Sequence, residues 1–231
     1  MLVEFSPLIS AGSGKIGGVV FSTGSSGACA RINTRQTNPR TFARSTRHAY
    51  MAMCLNTWQG LTAAQMLVWN TTAARYPYVN RVSRTYYLSG YQFFMKLNMN
   101  LKSIGAEINQ DGDIEDLLDE YTYEELLVVP DSISVEWTDP NLNNNDNIML
   151  FMTSPQSSGR YKSWVGDFRL IKVITSLDEM PINITSEYQS VFGVGSWHAG
   201  QILWSYAQSV CNKTGVVGVK TYKSSVVSAS V

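Results

Sequence analysis

Apolar residues between positions 38 and 105 recur at helical spacing, in three runs that carry helix-boundary signals. Asn38 and Pro39 give the first run a cap and a first-turn proline. The pattern therefore predicts a first helix that starts after this pair and ends at Gly60. The apolar side chains that fall broadly on one side of it are Phe42, Tyr50, Met53, Cys54 and Trp58.

The second and third runs each begin with a capping box, in which Ser or Thr is followed three residues later by Gln. Thr62 and Gln65 form the first box, and Ser89 and Gln92 form the second. The stretch between these two runs, RVSRTYYL, is β-prone and predicts a hairpin or a loop. This part of the chain is therefore predicted to contain three helices.

From residue 131 onward the helical period ends, and apolar residues alternate with polar ones in ISVEW and QILWSYAQSV, as is typical of strands. These two belong to a series of short β-prone stretches at roughly ten-residue spacing: ISVEW, IMLFM, SWVGDFRLIKVI, QILWSYAQSV and VVGVKTY. The spacing predicts an antiparallel β-sandwich. The tryptophan of VEW and the alternation of ILWSYAQSV resemble the B and F strands of fibronectin type III and related immunoglobulin-like modules.

The first 37 residues show neither the helical spacing nor the alternation that is typical of strands. Short β-prone pieces at 3–5, 19–22 and 29–33 are separated by glycine and serine. Such glycine density does not favour independent folding. We expect an extended arm or hairpin that becomes ordered on a neighbouring subunit.

An acidic connector with room for one helical turn at IEDLLDEY precedes Pro130, the predicted domain boundary. The predicted fold class is α+β, with an immunoglobulin-like sandwich at the C-terminal end. Its predicted parts are a glycine-rich extended arm (1–37), a small three-helix domain (38–105), an acidic linker (106–130) and the antiparallel β-sandwich (131–231).

The zero net charge conceals three blocks of different sign. Residues 1–106 hold eleven Lys or Arg and one acid, whereas residues 107–139 hold twelve acids and no base. Residues 140–231 are nearly balanced, with seven bases and five acids. Such blocks indicate different partners, segments that attract each other within an oligomer, or simply two solvated faces.

The glycine-rich opening SAGSGKIGG suggests a phosphate-binding loop, but its spacing does not fit one. A Walker A loop needs glycine where Ile9 stands and Ser or Thr where Ile16 stands. A dinucleotide-binding GxGxxG leads into a helix, whereas a β-prone VVF follows here. We instead expect these residues to allow close backbone approach or a turn on a neighbour, as an assembly arm: Gly12, Gly14, Lys15, Gly17 and Gly18.

Other catalytic and metal-binding patterns are equally weak. His48 and His198 have no further ligand at zinc spacing. Asp111, Asp113 and Glu115 alternate but lack the glycine and glutamate of a calcium loop. The three cysteines are widely spaced, which favours buried hydrophobic residues over disulfides. The sequence therefore predicts no enzyme, no catalytic residue, no metal site and no cofactor.

Arginines are concentrated around the start of the first predicted helix. Arg40, Arg44 and Arg47 follow i, i+4, i+7 spacing and so share one helix face. They could neutralise phosphates of a nucleic acid, pair with an acidic neighbour such as another copy's 107–139 segment, or form a solvated stripe. We favour protein–protein pairing. The predicted basic interaction surface comprises Arg31, Arg35, Arg40, Arg44 and Arg47.

Four motifs in order give the chain a resemblance to a known family. They are SGKIGGVVFS, ARINTRQTNPRT with Arg47 downstream, W-x-x-LT-x-x-Q-x-x-x-WN, and SGYQFFMKLN. This order resembles small proteins encoded in bacteriophage and prophage genomes, often among structural genes and frequently with an immunoglobulin-like tail. The match covers 12–105, and 131–222 more loosely. Met66 departs from it, since the family more usually has arginine there.

The resemblance implies a non-enzymatic structural component of the virion, associated with capsid, neck or tail. Its implied partners are other virion proteins and copies of itself, and no membrane. Two alternatives stay open. One is a host-surface or carbohydrate-binding module using Trp164, Trp197 and Trp204 on sandwich loops. The other is a basic structural protein that contacts DNA.

Overall fold

In a computed structural model, the chain forms two compact units. One comprises residues up to Met99 together with Asn109–Ile114, and the other comprises Asn100–Ile108 and residues from Glu115 onward. The structure describes residues 12–24, 27–34, 41–80, 82–112, 114, 123–129, 132–137, 146–175, 178, 181–195 and 197–228.

Described residues up to position 103 form three helices, a three-stranded sheet and a two-stranded hairpin. The sheet has the order β1-β2-β3, and the hairpin pairs β4 with β5. The elements are β1 (Gly14–Ile16), β2 (Val19–Gly24), β3 (Gly27–Ile32), α1 (Phe42–Gly60), α2 (Ala63–Ala73), β4 (Tyr78–Val79), β5 (Thr85–Tyr86) and α3 (Gly90–Ser103).

Both predicted capping boxes are confirmed. The Gln65 side chain accepts from the backbone N–H of Thr62 at 3.0 Å, and Thr62 Oγ1 accepts from the N–H of Gln65 at 3.3 Å. Ser89 and Gln92 make the same reciprocal pair at 3.1 and 3.2 Å. Each box satisfies two backbone groups at a helix start that have no partner within the helix.

The first helix begins slightly later than its proline signal suggests. Thr41 is the N-cap, and its hydroxyl accepts from the N–H of Arg44 at 3.4 Å. The predicted cap at 38–39 lies outside the described residues. The β-prone RVSRTYYL contributes β5 to the hairpin, which confirms one of its two predicted forms.

Aromatic rings form the core between the helices. Trp69 and Phe94 are fully buried, with ring centroids 5.1 Å apart and an edge-to-face arrangement. Phe93 packs against Trp69 on one side, and Trp58 packs against Phe94 on the other. Edge-to-face pairs add to the free energy that burial of the rings supplies.

A buried asparagine fixes the segment that returns to this core. Asn98 Nδ2 donates to the carbonyls of Phe94 and Asn109, and its Oδ1 accepts from the N–H of Asn109 at 2.7 Å. The indole N–H of Trp69 donates to the Gln110 carbonyl at 3.0 Å. These bonds hold residues 109–112 against α2 and α3.

The second unit contains an antiparallel sandwich, as predicted. A sheet of order β12-β11-β8-β9 faces one of order β10-β7-β6, which in immunoglobulin nomenclature is G-F-C-C′ opposite E-B-A. The elements are β6 (Tyr123–Val129), β7 (Ser132–Trp137), β8 (Asp146–Thr153), β9 (Phe168–Ile174), β10 (Ile182–Asn183), α4 (Thr185–Phe192), β11 (Ile202–Cys211) and β12 (Val217–Val226).

Alternate residues of the strands fill the space between the sheets. Ile148, Leu150 and Met152 of β8 point inward and are almost completely buried, as Ile133 and Val135 of β7 are on the opposite sheet. In β7 this period of two is the pattern that predicted the strand.

Two elements differ from the expected organisation. β6 lies inside the stretch predicted as an acidic linker, because its second half is the apolar run 126–129, in which Leu126 and Val128 are buried in the sandwich. Pro130 and residues 115–122, with most of IEDLLDEY, lie outside the described residues. Helix α4 lies between two predicted strands, in a stretch for which no element is predicted from the sequence.

A small charge cluster joins α4 to β9. Lys172 Nζ lies 3.2 Å from Glu187 Oε1 and 3.6 Å from Asp178 Oδ1. Partial burial alone would raise the pKa of Asp178, but hydrogen bonds from Thr175 and the charge of Lys172 outweigh it and lower that pKa. The pKa of Glu187 is lowered against the same desolvation by hydrogen bonds, including those from Ser186 and Lys172.

The sandwich is expected to lose stability in acid through this cluster. A carboxyl group whose pKa is lower in the folded state stabilises it above the unfolded pKa, about 4 for Asp and Glu, and loses that contribution as pH falls through the folded pKa. The free energy of unfolding, measured with denaturant between pH 7 and pH 2, should therefore fall less steeply with pH for the double variant Asp178→Asn/Glu187→Gln than for the wild type. Parallel slopes for wild type and the double variant would contradict this role.

Candidate assembly surface

The N-terminal sheet has one apolar face. Ile16 of β1 pairs with Val19 of β2, which pairs with Ile32 of β3. Directly paired residues of an antiparallel sheet lie on the same face, so these three side chains form one row across it. We call them the apolar row. Phe21 lies two residues beyond Val19 and therefore on the same face.

The opposite face of this sheet is basic at its edges. Lys15 pairs with Val20, and Val20 pairs with Arg31, which places two positive charges on either side of a central valine. Both charged residues are exposed. The sheet is therefore two-faced, with apolar side chains on one side and cations on the other.

None of the described residues in β1, β2 and β3 is buried. Ile16 is 74% exposed and Ile32 is 75% exposed. Burying an isoleucine side chain is worth about 1.5–3 kcal/mol, so the apolar row leaves a substantial contribution unused in the isolated chain.

Backbone geometry explains two glycines of the predicted assembly arm, Gly14 and Gly17. Gly17 and Gly18 link β1 to β2, and Gly17 has a φ of +57°, while Gly14 has a φ of +119°. No atom lies within 4 Å of a Cβ built on Gly14, Gly17 or Gly18, so close backbone approach within the chain is not the reason for them. Strand β2 follows this turn, where a dinucleotide-binding loop would have a helix.

The first two turns of α1 add a second exposed region. Cys54 is the one buried residue of this described helix, and no residue of 42–49 is buried. Phe42 is 88% exposed at the start of the helix, and Arg44 and Arg47 are exposed beside it. A phenylalanine with this exposure is typical of a surface that another protein covers.

The predicted basic residues are placed as follows. Arg31 lies on β3, and Arg44 and Arg47 lie on α1, while Arg35 and Arg40 lie outside the described residues. No carboxylate in the described part of the chain lies within ion-pair distance of Arg31, Arg44 or Arg47. Within the described part of the chain, no ion pair neutralises these three charges.

Sequence reasoning proposed the arm and the arginines as interaction sites, which stays a prediction, and it did not identify the apolar row or the exposure of Phe42. The signal was present, because a Gly-Gly pair between β-prone residues in KIGGVV is typical of a hairpin. In a hairpin, the residues flanking the turn pair directly, which would have placed Ile16 opposite Val19.

Most motif residues downstream of the arm have a structural explanation. Trp69 is the centre of the helical core, and Asn70 accepts from the N–H of Gly90 at 3.1 Å. A Cβ on Gly90 would lie 2.3 Å from Asn70 Oδ1, so glycine permits this close crossing. The WN and SG motifs therefore hold α2 against α3. The GK-GG-V-F motif forms part of the N-terminal sheet, in which no described residue is buried, including those of the apolar row.

The three tryptophans proposed for a carbohydrate platform occupy different environments. Trp197 is buried in the sandwich and donates to the Val129 carbonyl at 3.1 Å. Trp204 is half-buried in β11, and its indole nitrogen has no hydrogen-bond partner among the described residues. Trp164 is 67% exposed in the β8–β9 loop. The three rings therefore do not share one exposed surface.

Among the described residues, no group of three or more His, Cys, Asp or Glu could hold a metal ion. The cysteines form no disulfide; Cys54 and Cys211 are buried, and Cys29 is half-buried in β3. No helix within the described ranges is long and apolar enough to cross a membrane. Comparison of the chain with protein-family models, curated proteins and solved structures gives no match.

Proposed function

We propose that this chain is a non-enzymatic structural subunit of a bacteriophage particle, and that it assembles through its N-terminal sheet and the start of α1. One observation carries the proposal: the apolar row lies on a sheet in which no described residue is buried. A three-stranded sheet is stable when a hydrophobic face packs on another element. An adjacent subunit supplies that element.

The occupant of this surface is a second copy of the chain. Residues 1–106 carry ten more positive than negative charges, and 107–139 carry twelve acids without a base. Each copy thus holds both halves of a complementary pair, so the N-terminal unit of one copy can contact the acidic stretch of the next. Such head-to-tail contacts generate rings or filaments, and charge complementarity sets their register.

The bacteriophage setting is supported by the four motifs and their order in the sequence. A repeated shell or tube is built from subunits with self-complementary contacts, which fits the charge blocks. The exposed cations of Lys15 and Arg31 fit the same scheme, because they lie on the face opposite the apolar row. The row and the cations can then contact different parts of one neighbour.

The double variant Ile16→Lys/Ile32→Lys should weaken self-association of the full chain by at least about tenfold, since each change removes roughly 1.5–3 kcal/mol of available burial. Sedimentation equilibrium over a range of protein and salt concentrations measures this. Wild-type association should also weaken as salt rises, because exposed ion pairs are screened. In purified particles that contain the chain, mass spectrometry should find the variant depleted.

Val194→Lys is the matched control, since Val194 is 86% exposed but lies in the other unit. It should associate like the wild type. Circular dichroism should show unchanged secondary structure in all variants, because none of the replaced residues is buried. A wild-type chain that stays monomeric at every concentration, or a double variant that associates normally, overturns the proposal.

A further inference from the structure

The loop between β8 and β9, residues 154–167, presents aromatic side chains to solvent. We call it the aromatic loop. Tyr161 is 90% exposed, Trp164 is 67% exposed and Val165 is 77% exposed. Nothing in the sandwich core uses these side chains, and large apolar groups with this exposure mark interaction sites when they occur together.

Arg160 holds the aromatic loop in one shape. Its guanidinium pairs with Asp167 Oδ2 at 2.7 Å, donates to Gln156 Oε1, and donates to the Lys162 carbonyl at 2.9 Å. Asp167 Oδ2 also accepts from the backbone N–H of Trp164 at 3.2 Å. The backbone that carries the two rings is therefore held in place before any partner arrives, which reduces the entropy lost on binding.

The base of the loop is joined to the sandwich. Gln156 and Ile202 exchange two backbone hydrogen bonds of 2.9 Å at the start of β11. Because β9 begins directly after Asp167, both ends of the loop are held by the four-stranded sheet. Recognition side chains on a loop with two fixed ends keep their positions well.

The charge of this region favours an anionic partner. Arg160 neutralises Asp167, and Lys162 and Arg169 then remain as cations with no described carboxylate within ion-pair distance. Lys162 Nζ lies 5.8 Å from the centroid of the Trp164 ring, so one positive charge sits beside an exposed aromatic face.

We propose that the aromatic loop binds an anionic polysaccharide. The flat faces of Tyr161 and Trp164 can stack on the apolar faces of sugar rings while the Lys162 ammonium pairs with a carboxylate on the polymer. A side chain that is nine-tenths exposed cannot line a groove, so an extended acidic peptide would find no cleft here. The loop and the apolar row lie in different units, so this proposal is independent of assembly.

Affinity electrophoresis and calorimetry of the full chain with alginate, polygalacturonate and hyaluronan test this proposal, with neutral dextran as the reference. We expect binding to at least one anionic polymer that weakens with added salt, and none to dextran. Trp164→Ala should weaken binding by about tenfold or more, as loss of an aromatic anchor does. Trp164→Phe should retain most of it, and Lys162→Gln should reduce both affinity and salt dependence.

Tyr87→Ala removes a ring that is 54% exposed in the other unit and should bind like the wild type. Unfolding midpoints of all variants should be equal, because the replaced rings are exposed. Absence of binding to every anionic polymer, equal binding to dextran, or unchanged binding by Trp164→Ala overturns the proposal. Binding of a synthetic 107–139 peptide by the loop, without polysaccharide binding, also overturns it and assigns the loop to a second copy.

Discussion

Trp69→Ala is expected to lower the free energy of unfolding of the N-terminal unit by about 3–5 kcal/mol. The ring is fully buried between Phe93 and Phe94, so its removal leaves a cavity as well as losing the transfer free energy. Its indole N–H donates to the Gln110 carbonyl, and the ring covers Gly112, where a Cβ would come within 3.1 Å. The variant therefore also releases the segment that returns to the core.

Denaturant unfolding combined with hydrogen exchange and mass spectrometry measures the effect, with peptides from α2 and from 109–112 as reporters. Trp69→Phe should fall between the wild type and the alanine variant, because it keeps an aromatic ring but loses the hydrogen bond to Gln110. Trp164→Ala removes the same side chain from an exposed site and should change stability by less than about 0.5 kcal/mol. Equal losses for Trp69→Ala and Trp164→Ala would contradict the assigned core.

Local signals were enough to locate most helices and strands. The two capping boxes identify the starts of α2 and α3 because they are short-range hydrogen-bond patterns that need no tertiary partner. Alternation identifies β7 and β11, whereas β8 is identified by the continuous apolar run IMLFM. In both cases the physical cause lies within a few residues of the signal.

Sequence reasoning failed for two elements, β6 and α4. β6 was assigned to a linker because acids dominate residues 106–130, although the apolar run 126–129 lies near the end of this stretch and two of its residues, Leu126 and Val128, are buried. Helix α4 was missed because no element was predicted between the strands SWVGDFRLIKVI and QILWSYAQSV. Its own signal is the i, i+4, i+8 series Ile184, Tyr188 and Phe192, in which the first two are fully buried and the third packs on the core.

The strands of the arm were partly predictable, because the β-prone pieces at 19–22 and 29–33 overlap β2 and β3. The role of this sheet in assembly stays a prediction. The apolar row depends on register, because Ile16 and Ile32 are sixteen positions apart and meet Val19 only once the strands pair. The aromatic loop depends on Arg160, whose three partners lie on both sides of it in the chain. Such pairings are set by the folded backbone.

Gly90→Ala is expected to lower the stability of the same unit by about 1–3 kcal/mol, although it adds a single methyl group. A Cβ on this residue would lie 2.8 Å from the backbone nitrogen of Asn70 and 2.9 Å from its Cα, besides the contact with Oδ1. Backbone atoms cannot rotate away as a flexible side chain can, so α2 and α3 must move apart. The hydrogen bond from the Gly90 N–H to Asn70 would then lengthen or break.

Gly60→Ala is the matched control for this change. Gly60 is the last residue of α1, and no atom lies within 4 Å of a Cβ built on it. Alanine has the higher helix propensity and restricts the unfolded chain, so this variant should be neutral or more stable by about 0.4–1 kcal/mol. The denaturant midpoint should therefore fall for Gly90→Ala and stay the same or rise for Gly60→Ala. Amide exchange at the start of α3 should become faster in Gly90→Ala alone. Equal shifts would mean that the α2–α3 crossing is looser than the contact between Gly90 and Asn70 requires.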